Sequence, residues 1–200
     1  MTVKIIRFKE KHAPRVGEIF RSATAPLSKS MGGVYPDKLV EDWTRWSLDP
    51  ANIIREFNEQ QVKLFLAEVD KRLVGTFGYA PGSIRTRKED IGDRINSARI
   101  RWMFVSREFQ GLGIARTLHE EIMEEIRKEG YVHQYGYVIP SAHGFYEKMG
   151  WKHRPESDSF FENYPYDPVL QARTNELCPQ IRNREIKKQL ADFFFERTED

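Results

Sequence analysis

The stretch from residue 98 to residue 129 constrains the fold more than any other. In Ala98 to Val105, Ile100, Trp102 and Phe104 alternate with Arg99, Arg101 and Met103, and the period of two predicts a strand. From Gly113 to Glu129, Ile114, Leu118, Ile122 and Ile126 recur every four residues, with Ala115 and Met123 widening the stripe. Glu120, Glu121, Glu124, Glu125, Arg127 and Lys128 fill the other side, and Gly130 marks the stop of a helix. Between strand and helix lies Ser106-Arg107-Glu108-Phe109-Gln110-Gly111-Leu112. Glycines without Cβ let the backbone approach a ligand, and the first helical amides lack intrahelical acceptors and sit at the positive end of the dipole. That combination suits a phosphate or pyrophosphate, with Arg107 and Arg116 as nearby cations, although a plain loop-to-helix junction carries the same pattern. A P-loop is excluded because Gly113 is followed by Ile114-Ala115 rather than Lys-Ser/Thr. A dinucleotide turn is disfavoured, since Arg116 stands where a small residue is needed and the next strand ends Val138-Ile139-Pro140 without an acid.

The rest of the chain supplies further strands and helices. Val3 to Phe8 predicts an opening strand, and His12 to Ala23 a helix presenting Val16, Ile19 and Phe20, with Pro14 in its first turn. Pro26 and Gly32-Gly33 predict a loop over Ala25 to Tyr35, and Pro36 opens a second helix to Ser47 with Leu39, Val40, Trp43 and Trp46 on a stripe. Val62 to Val69 and Leu73 to Ala80 read as strands joined by a turn at Asp70-Lys71-Arg72. The charged segment from Ile84 to Asn96 reads as surface loop or short irregular helix. Tyr131 to Ile139 follows as a strand and Ser141 to Met149 as a short helix, with a late strand at Phe160-Phe161 and a helix over Pro179 to Arg197. This order implies an α/β or α+β fold on a mixed sheet.

Composition narrows the setting. The 200 residues suffice for one full core, and the 32 basic and 30 acidic side chains leave a net charge of +2, too balanced to signal a nucleic-acid or membrane-surface protein. No run reaches the roughly 18 apolar residues of a membrane helix. The charged N-terminus argues against export, and the single Cys178 fits a reducing compartment and cannot build a multi-Cys zinc cluster. The expected location is the cytoplasm, with no membrane partner and nucleic acid disfavoured.

Gln110-Gly111-Leu112-Gly113-Ile114-Ala115 resembles the Gln/Arg-x-x-Gly-x-Gly/Ala signature of the GNAT N-acetyltransferase superfamily, and its place between a strand and a long helix matches. Downstream, Ala142-His143-Gly144-Phe145-Tyr146-Glu147-Lys148-Met149-Gly150-Trp151 is similar to the family's Ala-x-x-Phe-Tyr-x-Lys-x-Gly-Phe segment. The resemblance runs from about Arg99 to Trp151 and extends toward Val3. It implies a mixed, mostly antiparallel central sheet of six to seven strands flanked by helices on both faces. Residues 1–155 would form the acetyltransferase domain and 156–200 a C-terminal extension.

The resemblance further implies acetyl-CoA as co-substrate, no metal, and transfer of the acetyl group to a primary amine of a small molecule or peptide by direct attack. The pyrophosphate would rest on the amides of Gln110, Gly111, Leu112, Gly113, Ile114 and Ala115. The pantetheine arm would pair with Met103, Phe104 and Val105, where this strand and the Tyr131–Ile139 strand splay apart. Tyr146 matches the family's general acid, a phenol that stays protonated at neutral pH; packing beside Phe145 is its structural alternative. Ser141 stands where relatives carry a cofactor-contacting Asn. A backbone amide near Phe104 or Val105 would stabilise the oxyanion. The general base stays open among Glu68, His133, His143 and a water chain ending on a backbone carbonyl, because residues 97 to 105 hold no acid.

Tyr35, Trp43 and Trp46 read either as core or as the wall of an acceptor pocket, and Asp37, Glu41 and Asp42 either as helix-dipole partners or as attractants for a cationic amine. Phe193-Phe194-Phe195 must be covered, by its own domain or by a second subunit, and the family's habit of dimerising makes the extension a candidate homodimer interface. A non-catalytic acyl-CoA-binding regulator, and an enzyme acting on a protein, a peptide N-terminus or an aminoacyl-tRNA, are the competing functional readings.

Overall fold

The computed structural model of the chain describes residues 2–82, 97–131, 133–153 and 160–163. The expected loop at 84–96, Cys178, the helix at 179–197 and the triple phenylalanine lie outside the described residues. In chain order the elements are β1 (Lys4–Arg7), α1 (Ala13–Thr24), α2 (Asp37–Trp46), α3 (Pro50–Glu59), β2 (Lys63–Val69), β3 (Arg72–Pro81), β4 (Ser97–Val105), α4 (Ile114–Lys128), β5 (His133–Tyr137), α5 (His143–Lys148), β6 (Lys152–His153) and β7 (Phe160–Asn163). The strands hydrogen-bond in the order β1-β2-β3-β4-β5-β7-β6, a mixed and mostly antiparallel seven-stranded sheet of the kind the family resemblance implied. The chain divides into two compact units, residues 1–80 with 100–128, and residues 81–99 with 129–200.

In the first unit the register of β2 against β3 assigns side chains to the two faces. Leu64 stands opposite Gly78 and Leu66 opposite Thr76 on one face, while Phe65 opposite Phe77 and Ala67 opposite Gly75 take the other. Leu64 and Leu66 pack with Ala13 and Val16 of α1, Ile53 and Phe57 of α3, and Trp102 of β4. On the opposite face, Leu118 and Ile114 of α4 lie against Gly75, and the His119 ring stacks on Phe77 at 6.1 Å. Helices therefore cover both faces here.

Helix α3 is an element that the sequence reading lacked. Asp49 Oδ1 accepts from the Ala51 amide at 2.9 Å and Pro50 occupies the first turn, a sufficient start signal. Ile53 and Phe57 supply its buried stripe. The expected loop from Ala25 to Tyr35 contains two short 3-10 turns, at Ala25–Leu27 and Lys29–Met31.

In the second unit, Ser97–Arg99 of β4 pair in parallel with His133–Tyr135 of β5. β5 pairs antiparallel with β7, which pairs antiparallel with β6. The late strand expected at Phe160-Phe161 is β7, and the two-residue β6 joins it. The short helix expected at Ser141–Met149 is a 3-10 turn at Pro140–Ala142 followed by α5.

Candidate active site

The loop from Ser106 to Gly113 is pinned at several points. The Ser106 amide donates to the Val74 carbonyl of β3 at 2.8 Å, and the Arg107 amide to Ser22 Oγ of α1 at 3.0 Å. A 3-10 turn over Arg107–Phe109 follows, closed by the Gln110 amide donating to the Arg107 carbonyl at 3.2 Å. The Gln110 side chain folds back, its Nε2 donating to the Val105 carbonyl at 2.9 Å. Gly111 and Gly113 both adopt left-handed backbone, φ +78° and +82°, which side chains with a Cβ rarely accept. An added Cβ at either position would meet no atom within 4 Å. Conformation, not crowding, demands glycine there, and the space above both is open.

Helix α4 begins at Ile114, and the Gly113 carbonyl accepts its first-turn bond from the Thr117 amide at 3.1 Å. The amides ahead of Thr117 are those a helix start leaves without internal acceptors, and they carry the positive end of a 15-residue helix dipole. Leu112 is 53% exposed at the tip, whereas Ile114 is buried and anchors the helix to the core. Of the amides expected to hold a pyrophosphate, the one of Gln110 is engaged inside its own turn, which leaves Gly111–Ala115 as the candidate donors. A pyrophosphate fits this donor set and the open space above the glycines. Arg116 is paired with Glu120 at 3.7 Å across an exposed turn.

The strand leading into the loop is irregular. Trp102 has φ +56°, an uncommon backbone state for a bulky residue that costs about 1–3 kcal/mol. The regular alternation expected along β4 ends there: Ala98, Ile100 and Trp102 are buried, but beyond Trp102 it is Val105 that is buried while Phe104 is partly exposed. The Trp102 carbonyl accepts from Thr76 Oγ1 at 2.6 Å. Its indole is ringed by Phe20, Trp46, Phe57 and Phe104 at centroid distances of 5.0–5.9 Å. Trp102 Nε1 donates to Glu56 Oε1 of α3 at 3.0 Å, and the same oxygen accepts from Arg101 Nη2 at 2.7 Å. Arg101 also donates to Gln60 Oε1. The sequence reading missed Glu56, which lies on a helix absent from that reading and is 45 residues from Arg101 in the chain, so no local signal marks the pair.

Trp46 packs into this aromatic cluster, whereas Trp43 meets Tyr35 edge-on at 5.4 Å. Burial raises the Tyr35 phenol above its ordinary value. Asp37 accepts from Ser28 Oγ and, at 2.9 Å, from the Ser30 amide; the Ser28 bond leads in holding its carboxyl below the usual range. Glu68 stands opposite Lys4 on β1, two strands away from β4.

In the second unit Tyr146 is 5% exposed, edge-on to Phe145 at 5.3 Å and to Trp151 at 5.2 Å, and burial pushes its phenol well above the ordinary range. It stays protonated at any physiological pH. Ser141, in the 3-10 turn before α5, is exposed. His143 Nε2 lies 3.2 Å from the Val138 carbonyl, and His133 pairs with Ser97 through the backbone. The structure brings Met103, Phe104, Val105 and Gln110–Ala115 together in one unit, and Ser141 and Tyr146 in the other.

Residues 33–166 match the family described as the acetyltransferase (GNAT) domain. The chain belongs to the GNAT acetyltransferase family. The fold agrees with solved GNAT structures. A PaiA N-acetyltransferase from Thermoplasma acidophilum, in complex with coenzyme A, superposes with TM-score 0.66 at 19% identity, covering 82% of this chain and 99% of that one. A GNAT family acetyltransferase from Brucella melitensis in complex with acetyl-CoA gives 0.57 at 16%, covering 83% and 90%. One from Escherichia coli in complex with CoA gives 0.57 at 15%, covering 84% of each. No curated protein matches the chain. Among the described residues of this GNAT protein, no helix is long and apolar enough to cross a membrane.

Proposed function

We propose that this protein transfers the acetyl group of acetyl-CoA to a primary amine by direct attack. The observation that carries the reading is the pair of left-handed glycines, Gly111 and Gly113, open above and set at the start of α4 directly after β4. On this reading the amides of Gly111, Leu112, Gly113, Ile114 and Ala115 bind the pyrophosphate, with the Gln110 side chain bracing the loop from below. Met103, Phe104 and Val105 pair with the pantetheine arm, and Ser141, where relatives carry a cofactor-contacting Asn, is a further candidate for the cofactor. Acetyl-CoA supplies an activated carbonyl carbon and a good leaving thiol.

The protein's share of the chemistry is then modest and specific. A backbone amide near Phe104 or Val105 stabilises negative charge on the carbonyl oxygen. Tyr146, kept protonated by burial, donates a proton to the departing thiolate, and the proton that the acceptor nitrogen loses on becoming an amide restores the phenol. The acceptor is an amine of a small molecule or a peptide, attacking in its neutral form. The single cysteine supports a cytoplasmic setting. The test is thiol release from acetyl-CoA across amines, amino acids, polyamines, aminoglycosides and peptides. Release that depends on one class and falls sharply in Tyr146→Phe supports the reading. Binding of CoA with no release on any amine would favour a regulatory acyl-CoA binder.

A further inference from the structure

Trp102 stands at the point where β4 leaves its regular path, and its conformation is held from two sides. Thr76 Oγ1 on β3 donates to its carbonyl at 2.6 Å, and Glu56 Oε1 on α3 accepts from its indole Nε1 at 3.0 Å. Neither bond is local in sequence, and a left-handed bulky residue persists only where its surroundings over-determine it. Glu56 is doubly used, because Arg101 Nη2 donates to the same oxygen at 2.7 Å. One carboxylate therefore fixes two consecutive side chains of β4. The Glu56 and Arg101 side chains are only 21% and 23% exposed, so the pair is sheltered from competing water.

Directly after the clamped pair come Met103, Phe104 and Val105, the segment whose backbone is assigned above to the pantetheine arm. We propose that Glu56 is a positioning residue: through Arg101 and Trp102 it sets the direction in which Met103–Val105 present their backbone to the co-substrate. The inference rests on the acetyl-CoA reading and adds to it a determinant on a different helix, outside both family signatures. Glu56 itself need not touch the ligand. Its removal would let Trp102 relax toward ordinary strand geometry and turn the peptide groups that follow, while the Ser106 and Arg107 amides, pinned to Val74 and Ser22, keep the glycine loop and the start of α4 in place.

Calorimetry with two ligands separates this role from a general loss of fold. CoA carries pantetheine on a 3′-phosphorylated adenosine diphosphate, whereas ADP carries the adenosine and diphosphate without the pantetheine arm. For Glu56→Ala the expected result is CoA binding weakened about tenfold with ADP binding unchanged. Glu56→Gln keeps an oxygen for the indole but loses the charge that holds Arg101, and is expected to weaken CoA about threefold with ADP again unchanged. Should the alanine variant fail to fold, the glutamine variant alone decides. Equal changes for the two ligands, or no change for either, would overturn the positioning role. Failure of the wild type to bind CoA at all would instead remove the acetyl-CoA reading, and this inference with it.

Discussion

The Gln110 carboxamide donates to the Val105 carbonyl at 2.9 Å, tying the glycine loop back to the end of the strand that precedes it. The bond uses the Gln110 side chain where its backbone amide is already engaged by the Arg107 carbonyl. A net contribution of about 1 kcal/mol is typical of such a bond. Gln110→Ala is expected to raise the KM for acetyl-CoA about fivefold with little change in kcat, measured by steady-state thiol release.

Gly111 and Gly113 make a sharper case. Alanine at either φ is expected to cost about 1–2 kcal/mol, lowering the melting temperature by roughly 2–8 °C. The new methyl would also stand in the open space assigned to the pyrophosphate, so CoA affinity should fall at least tenfold in calorimetry. A variant that loses stability but keeps CoA affinity would show that the space is not the binding cradle.

Tyr146 is buried and its phenol is pushed well above the ordinary value. A raised acid ionises later in the folded protein than in the unfolded chain, so the native state keeps its proton donor below the unfolded pKa of about 10. The expected pH profile therefore shows kcat rising with pH as the acceptor amine loses its proton, with no decline from Tyr146 up to pH 10. Tyr146→Phe should lower kcat about 100-fold and leave CoA affinity unchanged. A decline in the wild-type profile near pH 8–9 that disappears in Tyr146→Phe would contradict this account.

His119 gives a stability prediction independent of catalysis. Only 6% exposed against Phe77, it has its pKa lowered to about 4 by burial, from an ordinary 6.5. The depressed group contributes stability that is complete above pH 6.5 and lost as pH falls toward 4. The limit of that loss is about 3 kcal/mol. Urea unfolding across this range should show the decline, and His119→Phe should remove most of it. Equal acid sensitivity in both proteins would exclude His119 as its source.

How far the sequence was legible depends on whether a feature is local. Helix α4 and the glycine loop could be read because a four-residue apolar period, an exposed acidic face and paired glycines all act within one segment. The turn at Asp70 and Lys71, both with positive φ, was legible for the same reason. Trp102 was not, since an aromatic in a strand-like run carries no local sign of a left-handed backbone; contacts with Glu56 and Thr76 impose it from other elements. That irregularity also explains why the alternation read through Phe104 stops at Trp102. Helix α3 did carry a start signal at Asp49-Pro50, but it follows α2 after only Ser47, Leu48 and Asp49, and its ten residues add a short stripe that reads as part of a connection. β6, two residues long, is defined solely by its pairing with β7.

The central claim is that the acetyl group ends on an amine nitrogen. Mass spectrometry of the acceptor after reaction with acetyl-CoA tests it most directly, with released thiol counted in the same sample. The account predicts one acetyl group on the amine for each thiol released, from one class of acceptor. Thiol release without acetylated acceptor, or acetate as the sole product with every amine offered, would contradict it.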